Sequence, residues 1–124
     1  MIIKLIISSV FISLVGCEKS PKTVDYSKIE FRGGLAYLQK QKNPFSGGAT
    51  EYYSEGKKKA EVNYRNGRLH GEYADWYANG QMERRGSFKD GKFDWLWIRY
   101  QKDGTERSRT TYDKGRGIDT IFND

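Results

Sequence analysis

The chain has 124 residues, room for one small domain, and its 22 basic against 16 acidic residues give a formal net charge of +6. One cysteine and one histidine exclude an intramolecular disulfide and leave no His/Cys cluster with metal-ligand spacing. The positive charge favours loose attraction to anionic surfaces or acidic partners, and by itself identifies none of them.

The first segment, "MIIKLIISSVFISLVGC", carries Lys4 near its start, an apolar run from Leu5 to Val15, and Gly16 before Cys17. A helix over Leu5 to Gly16 would reach about 18 Å, short of the ~30 Å hydrocarbon core of a bilayer, so residues 1–16 are expected to be a signal peptide and not a membrane span. "LVGC" resembles the lipobox of bacterial lipoproteins, which implies cleavage before Cys17 and lipidation of that cysteine. Two or more acyl chains, at about 0.8 kcal/mol per buried methylene, would hold the mature protein on a membrane. The resemblance thus implies a membrane-anchored lipoprotein of the cell envelope. Glu18 leans toward the outer membrane if the source is Gram-negative, since Asp after the cysteine is the retention signal for the inner one. Residues 17–28, polar and containing Pro21, are expected to be a flexible tether.

The folded part is expected over 29–124. "IEFRGGLAYLQKQKN" sets two short apolar groups around Gly33-Gly34, a hairpin that serves as first unit or cap. A 24-residue period follows. Gly56, Gly80 and Gly104 are in step, as are Gly67, Gly91 and Gly115, with Tyr52, Trp76, Tyr100 and Tyr64, Phe88, Tyr112 as two aromatic series. Asn66-Gly67, Asn79-Gly80, Asp90-Gly91 and Asp103-Gly104 suit the positive backbone dihedrals of tight turns, between stretches rich in Tyr, Trp, Phe, Thr and Val. The expectation is an all-β antiparallel meander of hairpin repeats, at about 44–68, 69–92 and 93–116. The two aromatic series form ladders in its core.

"GEYADWYANGQMERRGSFKDGK" resembles the variant MORN repeat, through Gly71, Trp76, Tyr77, Asn79, Gly80, Phe88, Asp90 and Gly91. The unit before it follows the pattern through Gly47, Tyr52, Tyr53, Gly56, Tyr64, Asn66 and Gly67. The third unit departs from it: Trp95 stands where the leading glycine belongs, Gln101 replaces the second aromatic, and Lys114 replaces Asn or Asp before Gly115. The resemblance implies an interaction surface. Bacterial proteins of this build are grouped as YwqK-type antitoxins, which implies neutralisation of a toxin by binding.

No cofactor or metal is expected, and no enzymatic activity, because His70 is the one histidine and falls between two units. Nucleic acid is not expected as a partner, since export would separate the two and aromatics at strand spacing belong to a core. The leading expectation is a protein partner bound by Trp95, Trp97, Tyr77, Arg84 and Arg85, because "FDWLWIRY" places Trp95 and Trp97 on one face near the chain end, where fewer repeats remain to cover them. The alternatives are a toxin, as the family resemblance implies, and an anionic lipid or cell-wall polymer, as the charge implies.

Overall fold

The structure, a computed structural model, describes residues 22–124. The expected signal peptide, Cys17 and most of the expected tether lie outside the described residues. The elements run β1 (Thr23–Asp25), a 3-10 turn (Tyr26–Lys28), β2 (Ile29–Arg32), β3 (Leu35–Leu38), β4 (Gly47–Tyr52), β5 (Lys58–Arg65), β6 (Arg68–Leu69), β7 (Gly71–Trp76), β8 (Met82–Lys89), β9 (Lys92–Tyr100), β10 (Glu106–Asp113) and β11 (Arg116–Phe122).

The chain is all-β, as expected. One sheet has the order β1-β4-β5-β7-β8-β9-β10-β11, with β6 also paired to β5, and β2-β3 form a separate hairpin. From β4 to β11 every pairing is antiparallel and sequential, a meander. β1 differs, running parallel to β4 with Val24 opposite Ala49. Residues 23–25 therefore join the sheet, although their polar composition reads as tether. Backbone pairing with an open edge recruits them, and Val24, with Tyr26 just after, packs against the buried cluster described below.

Two kinds of turn alternate along the meander. At one end, Asn66-Gly67, Asp90-Gly91 and Lys114-Gly115 have positive φ at both residues, near 49° and then 79° to 83°. This is the primed turn that matches the twist of the strands, and Lys114 adopts it without an Asn or Asp side chain. At the other end, Gly80 N–H bonds to Tyr77 O and Tyr77 N–H to Gln81 O, a type I turn closed by a left-handed glycine. The same pair of bonds recurs 24 residues before, at Tyr53, Gly56 and Lys57, and 24 after, at Gln101, Gly104 and Thr105.

The β2-β3 hairpin caps the first unit. Ala36 N–H bonds to Gly67 O, Phe45 N–H to Ala36 O, and Gly67 N–H to Phe45 O. Ala36, Phe45, Ala49, Val62 and Tyr64 make a buried cluster beneath it, with Tyr73 packed against that cluster. Tyr73 also leads into a second set of rings, Phe88, Phe93, Trp97 and Tyr112, at centroid distances of 4.7 to 5.6 Å. So the Tyr64, Phe88, Tyr112 series follows this packed line of rings, Tyr64 buried and Phe88 and Tyr112 half-buried, with Tyr73 and Phe93 between its members. The Tyr52, Trp76, Tyr100 series lies outside that line: none of its rings packs on another ring, Tyr52 is 49% exposed and the other two are half-buried. For Tyr52 and Trp76, the register slips just before them, at Glu51/Tyr52 and Asp75/Trp76, and carries their rings to the margin of the sheet.

Among the described residues, no helix is long and apolar enough to cross a membrane.

Candidate partner-binding surface

The five residues singled out in the sequence go to different environments. Trp97 is 6% exposed, its Nε1–H donates to Ser87 O at 2.9 Å, and it packs on Gly86, where a Cβ would stand 2.3 Å from the indole Cδ2. Its ring therefore belongs to the core. Trp95 is 70% exposed and lies outside the ring cluster, with φ at +58°.

Trp95 and Trp97 part company because β9 does not alternate regularly. Its register with β8 shifts between Arg85 and Ser87: Ser87 lies opposite Asp94, but Arg85 lies opposite Ile98. β5 shows an equivalent shift, facing Leu69 at Tyr64 but Ala74 at Glu61. Gly71 stands in that earlier bulge at φ +91°, and Gly47 precedes it by one period at φ +147°. Trp95 thus occupies a backbone site that the repeat otherwise gives to glycine.

Arg84 is part of a buried polar group. Its Nε–H donates to Asp75 Oδ2 at 2.9 Å, a second guanidinium N–H donates to the same oxygen, and the Tyr73 hydroxyl donates to it at 2.9 Å. Asp75 is buried, and its Oδ1 has no hydrogen-bond partner. The hydrogen bond to Asp75 raises the Arg84 pKa. Burial, with the Asp75 carboxylate adding to it, pushes the Tyr73 phenol up to about 12. Both are held in their ordinary neutral-pH states, a structural arrangement with no proton to exchange near neutrality.

Arg85 points the other way and is exposed, lining a cleft of about 290 Å³ with Glu61, Asn63 and Glu72. Tyr77 is half-buried, and its hydroxyl donates to Tyr100 O at 2.8 Å. The same bond exists one period earlier, from the Tyr53 hydroxyl to Trp76 O at 2.7 Å. Each second aromatic of the repeat therefore ties its unit to the next one.

The structure thus separates the predicted contacts. Trp95 and Arg85 are exposed, Arg84 is half-buried in the Asp75 group, and Tyr77 and Trp97 serve cohesion. Sequence reasoning missed a larger feature, a groove of about 570 Å³ lined by Tyr26, Phe31, Val62, Tyr64, Leu69 and Tyr73, with Arg68 and Lys92 also on it. It draws on the N-terminal 3-10 turn, the cap hairpin, β5 to β7 and β9, and no periodicity links those segments. Among the described residues, no group of three or more His, Cys, Asp or Glu is placed to hold a metal ion. Compared with protein-family models, curated proteins and solved structures, the chain finds no match in any of the three.

Proposed function

We propose that this chain is a non-catalytic, MORN-like lipoprotein of the cell envelope, anchored through Cys17, that binds a protein partner with its repeat sheet. The observation that carries the reading is Trp95. A large side chain in the left-handed region costs roughly 1–2 kcal/mol, and an exposed indole gains little in return from its own fold. Glycine fills the same site at Gly47 and Gly71, so the fold has a cheaper solution and does not use it here. Exposed tryptophan is the residue type most enriched among energetically dominant interface contacts, which gives the cost a purpose. Arg85, exposed on the same hairpin, is a polar contact consistent with this role.

The test combines the anchor and the contact. Cells expressing the native chain or Cys17→Ser are labelled with a clickable fatty acid and fractionated, and a photo-crosslinking phenylalanine analogue, which keeps a large aromatic ring, is placed at position 95 or at Lys102. Label and membrane association should disappear together in Cys17→Ser, and position 95 should give a discrete cross-linked protein that position 102 does not. An unlabelled native chain removes the lipoprotein part of the reading. Equal cross-linking at the two positions removes the partner-binding part.

A further inference from the structure

The primed turns are stacked. Gly67 N–H bonds to Phe45 O, Gly91 N–H to Leu69 O at 2.8 Å, and Gly115 N–H to Phe93 O at 3.0 Å, each bond one 24-residue period beyond the last. The residues flanking these turns are Arg65 and Arg68, Lys89 and Lys92, and Asp113, Lys114 and Arg116. Arg65 is paired directly opposite Arg68, and Lys89 opposite Lys92. Like charges placed opposite each other in a hairpin are destabilising, yet the arrangement occurs in two successive units. With Asp90 included, this end of the sheet holds six basic and two acidic side chains, four of the chain's six net positive charges.

The groove opens onto this end. Its two acids are already matched, Asp90 by Arg65 at 3.2 Å and Glu51 by Lys59 at 2.8 Å. Its two cations, Arg68 and Lys92, have no carboxylate within ion-pair distance among the described residues. Phe31, 56% exposed, forms part of its wall beside the Tyr26 and Tyr64 rings. The groove therefore offers an aromatic floor and a surplus of positive charge at one rim.

The geometry points to an acidic, extended segment of a protein partner, seating one apolar side chain in this groove and its carboxylates on Arg68, Lys92 and the turn cations beyond. Successive turns are two strands apart, about 10 Å, and a chain extended as polyproline II rises about 3.1 Å per residue with three residues per turn, so an acid at every third position lies on one side and keeps step with the turns. This inference rests on the reading of the chain as a protein binder and adds the chemistry of the partner.

The test uses the mature chain and a fluorescein-labelled peptide with Glu at every third position and one central Phe, read by anisotropy. Three controls accompany it: the same peptide with Lys for Glu, poly-glutamate, and inorganic polyphosphate. The Glu/Phe peptide should bind, Arg68→Glu with Lys92→Glu should weaken it at least roughly tenfold, and Phe31→Ala should weaken it severalfold. All three substituted residues are exposed, so circular dichroism should be unchanged. Failure of the Glu/Phe peptide to bind, equal binding of the Lys peptide, or indifference to the charge reversal overturns the proposal. Poly-glutamate or polyphosphate binding as tightly, unaffected by Phe31→Ala, overturns it in favour of a plain polyanion site. The cross-link at position 95 is independent of this peptide, so failure here with that cross-link intact removes the acidic-segment assignment alone.

Discussion

The two ends of the sheet are built on the same 24-residue step and present different chemistry. At the end made by Tyr53–Lys57, Tyr77–Gln81 and Gln101–Thr105, side chains are engaged in joining the units. The Tyr53 and Tyr77 hydroxyls reach Trp76 O and Tyr100 O, Asn79 Nδ2–H donates to Lys102 O at 2.8 Å, and Asn79 Oδ1 and Asp103 Oδ1 accept from their own turns. At the end made by the primed turns, the units are joined through glycine N–H groups. Beyond the Arg65–Asp90 pair and the His70 Nδ1 and Ser46 Oγ that accept from Asp90 and Asn66 N–H, the side chains there are little engaged in joining units, and they are mostly cationic. One end is committed to holding the stack, and the other carries the cations that the proposed acidic segment would meet.

The largest expected effect comes from the ring cluster that supports both ends. Trp97→Ala should cost about 3–5 kcal/mol, the range for removing a large buried aromatic. Gly86→Ala should cost about 1–3 kcal/mol, because the indole blocks the new methyl. Urea denaturation measures both, and a Trp97→Ala protein as stable as the native one would show that the cluster does not hold the sheet.

Next in size is the Asp75 group. Asp75→Ala strands the Arg84 guanidinium and the Tyr73 hydroxyl, and should cost roughly 1–3 kcal/mol. The same group sets an alkaline limit. The Tyr73 phenol titrates near 12 in the folded chain and near 10 when unfolded, so above pH 10 the unfolded state binds fewer protons and stability falls with rising pH until about 12. Burial raises the Tyr64 phenol in the same direction. In Tyr73→Phe, thermal melts across that pH window should lose stability less steeply than in the native chain.

How much of this was legible in the sequence depended on whether a feature repeats. The strands, both sets of turns and the Gly33-Gly34 hairpin follow from residues recurring every 24 positions or from local turn chemistry. The bulge at Trp95 did not, because its marker in the other units is glycine and here the marker is missing. A regular alternation then put Trp95 and Trp97 on one face. Comparing position 95 with 47 and 71 was the available signal. The pairing of β1 with β4 and the groove under the cap hairpin depend on long-range packing of unlike segments, which no period announces.

Smaller effects separate the two ends directly. Tyr77→Phe, at the cohesive end, removes one half-buried hydroxyl donor and should cost about 1 kcal/mol, with Tyr53→Phe similar. Lys89→Ala and Lys114→Ala, at the cationic end, should each stay within about 0.5 kcal/mol of the native stability, since neither side chain is buried. Equal costs at both ends would erase the distinction between them.

One small effect has the opposite sign. Trp95→Gly puts back the residue that the repeat uses at 47 and 71, and relieves a left-handed conformation worth roughly 1–2 kcal/mol. Against this stands about 0.5–1 kcal/mol for the extra freedom that glycine loses on folding. The net expectation is a gain of up to about 1.5 kcal/mol, with loss of the cross-link made from a photo-reactive residue at position 85 on the same hairpin. Trp95→Ala sharpens the point, because it deletes the indole and keeps a Cβ at positive φ: it should lose the partner without the gain in stability. A Trp95→Gly chain that is less stable than the native one would mean that the indole is paid for by its own fold, and that position 95 is no evidence of a partner.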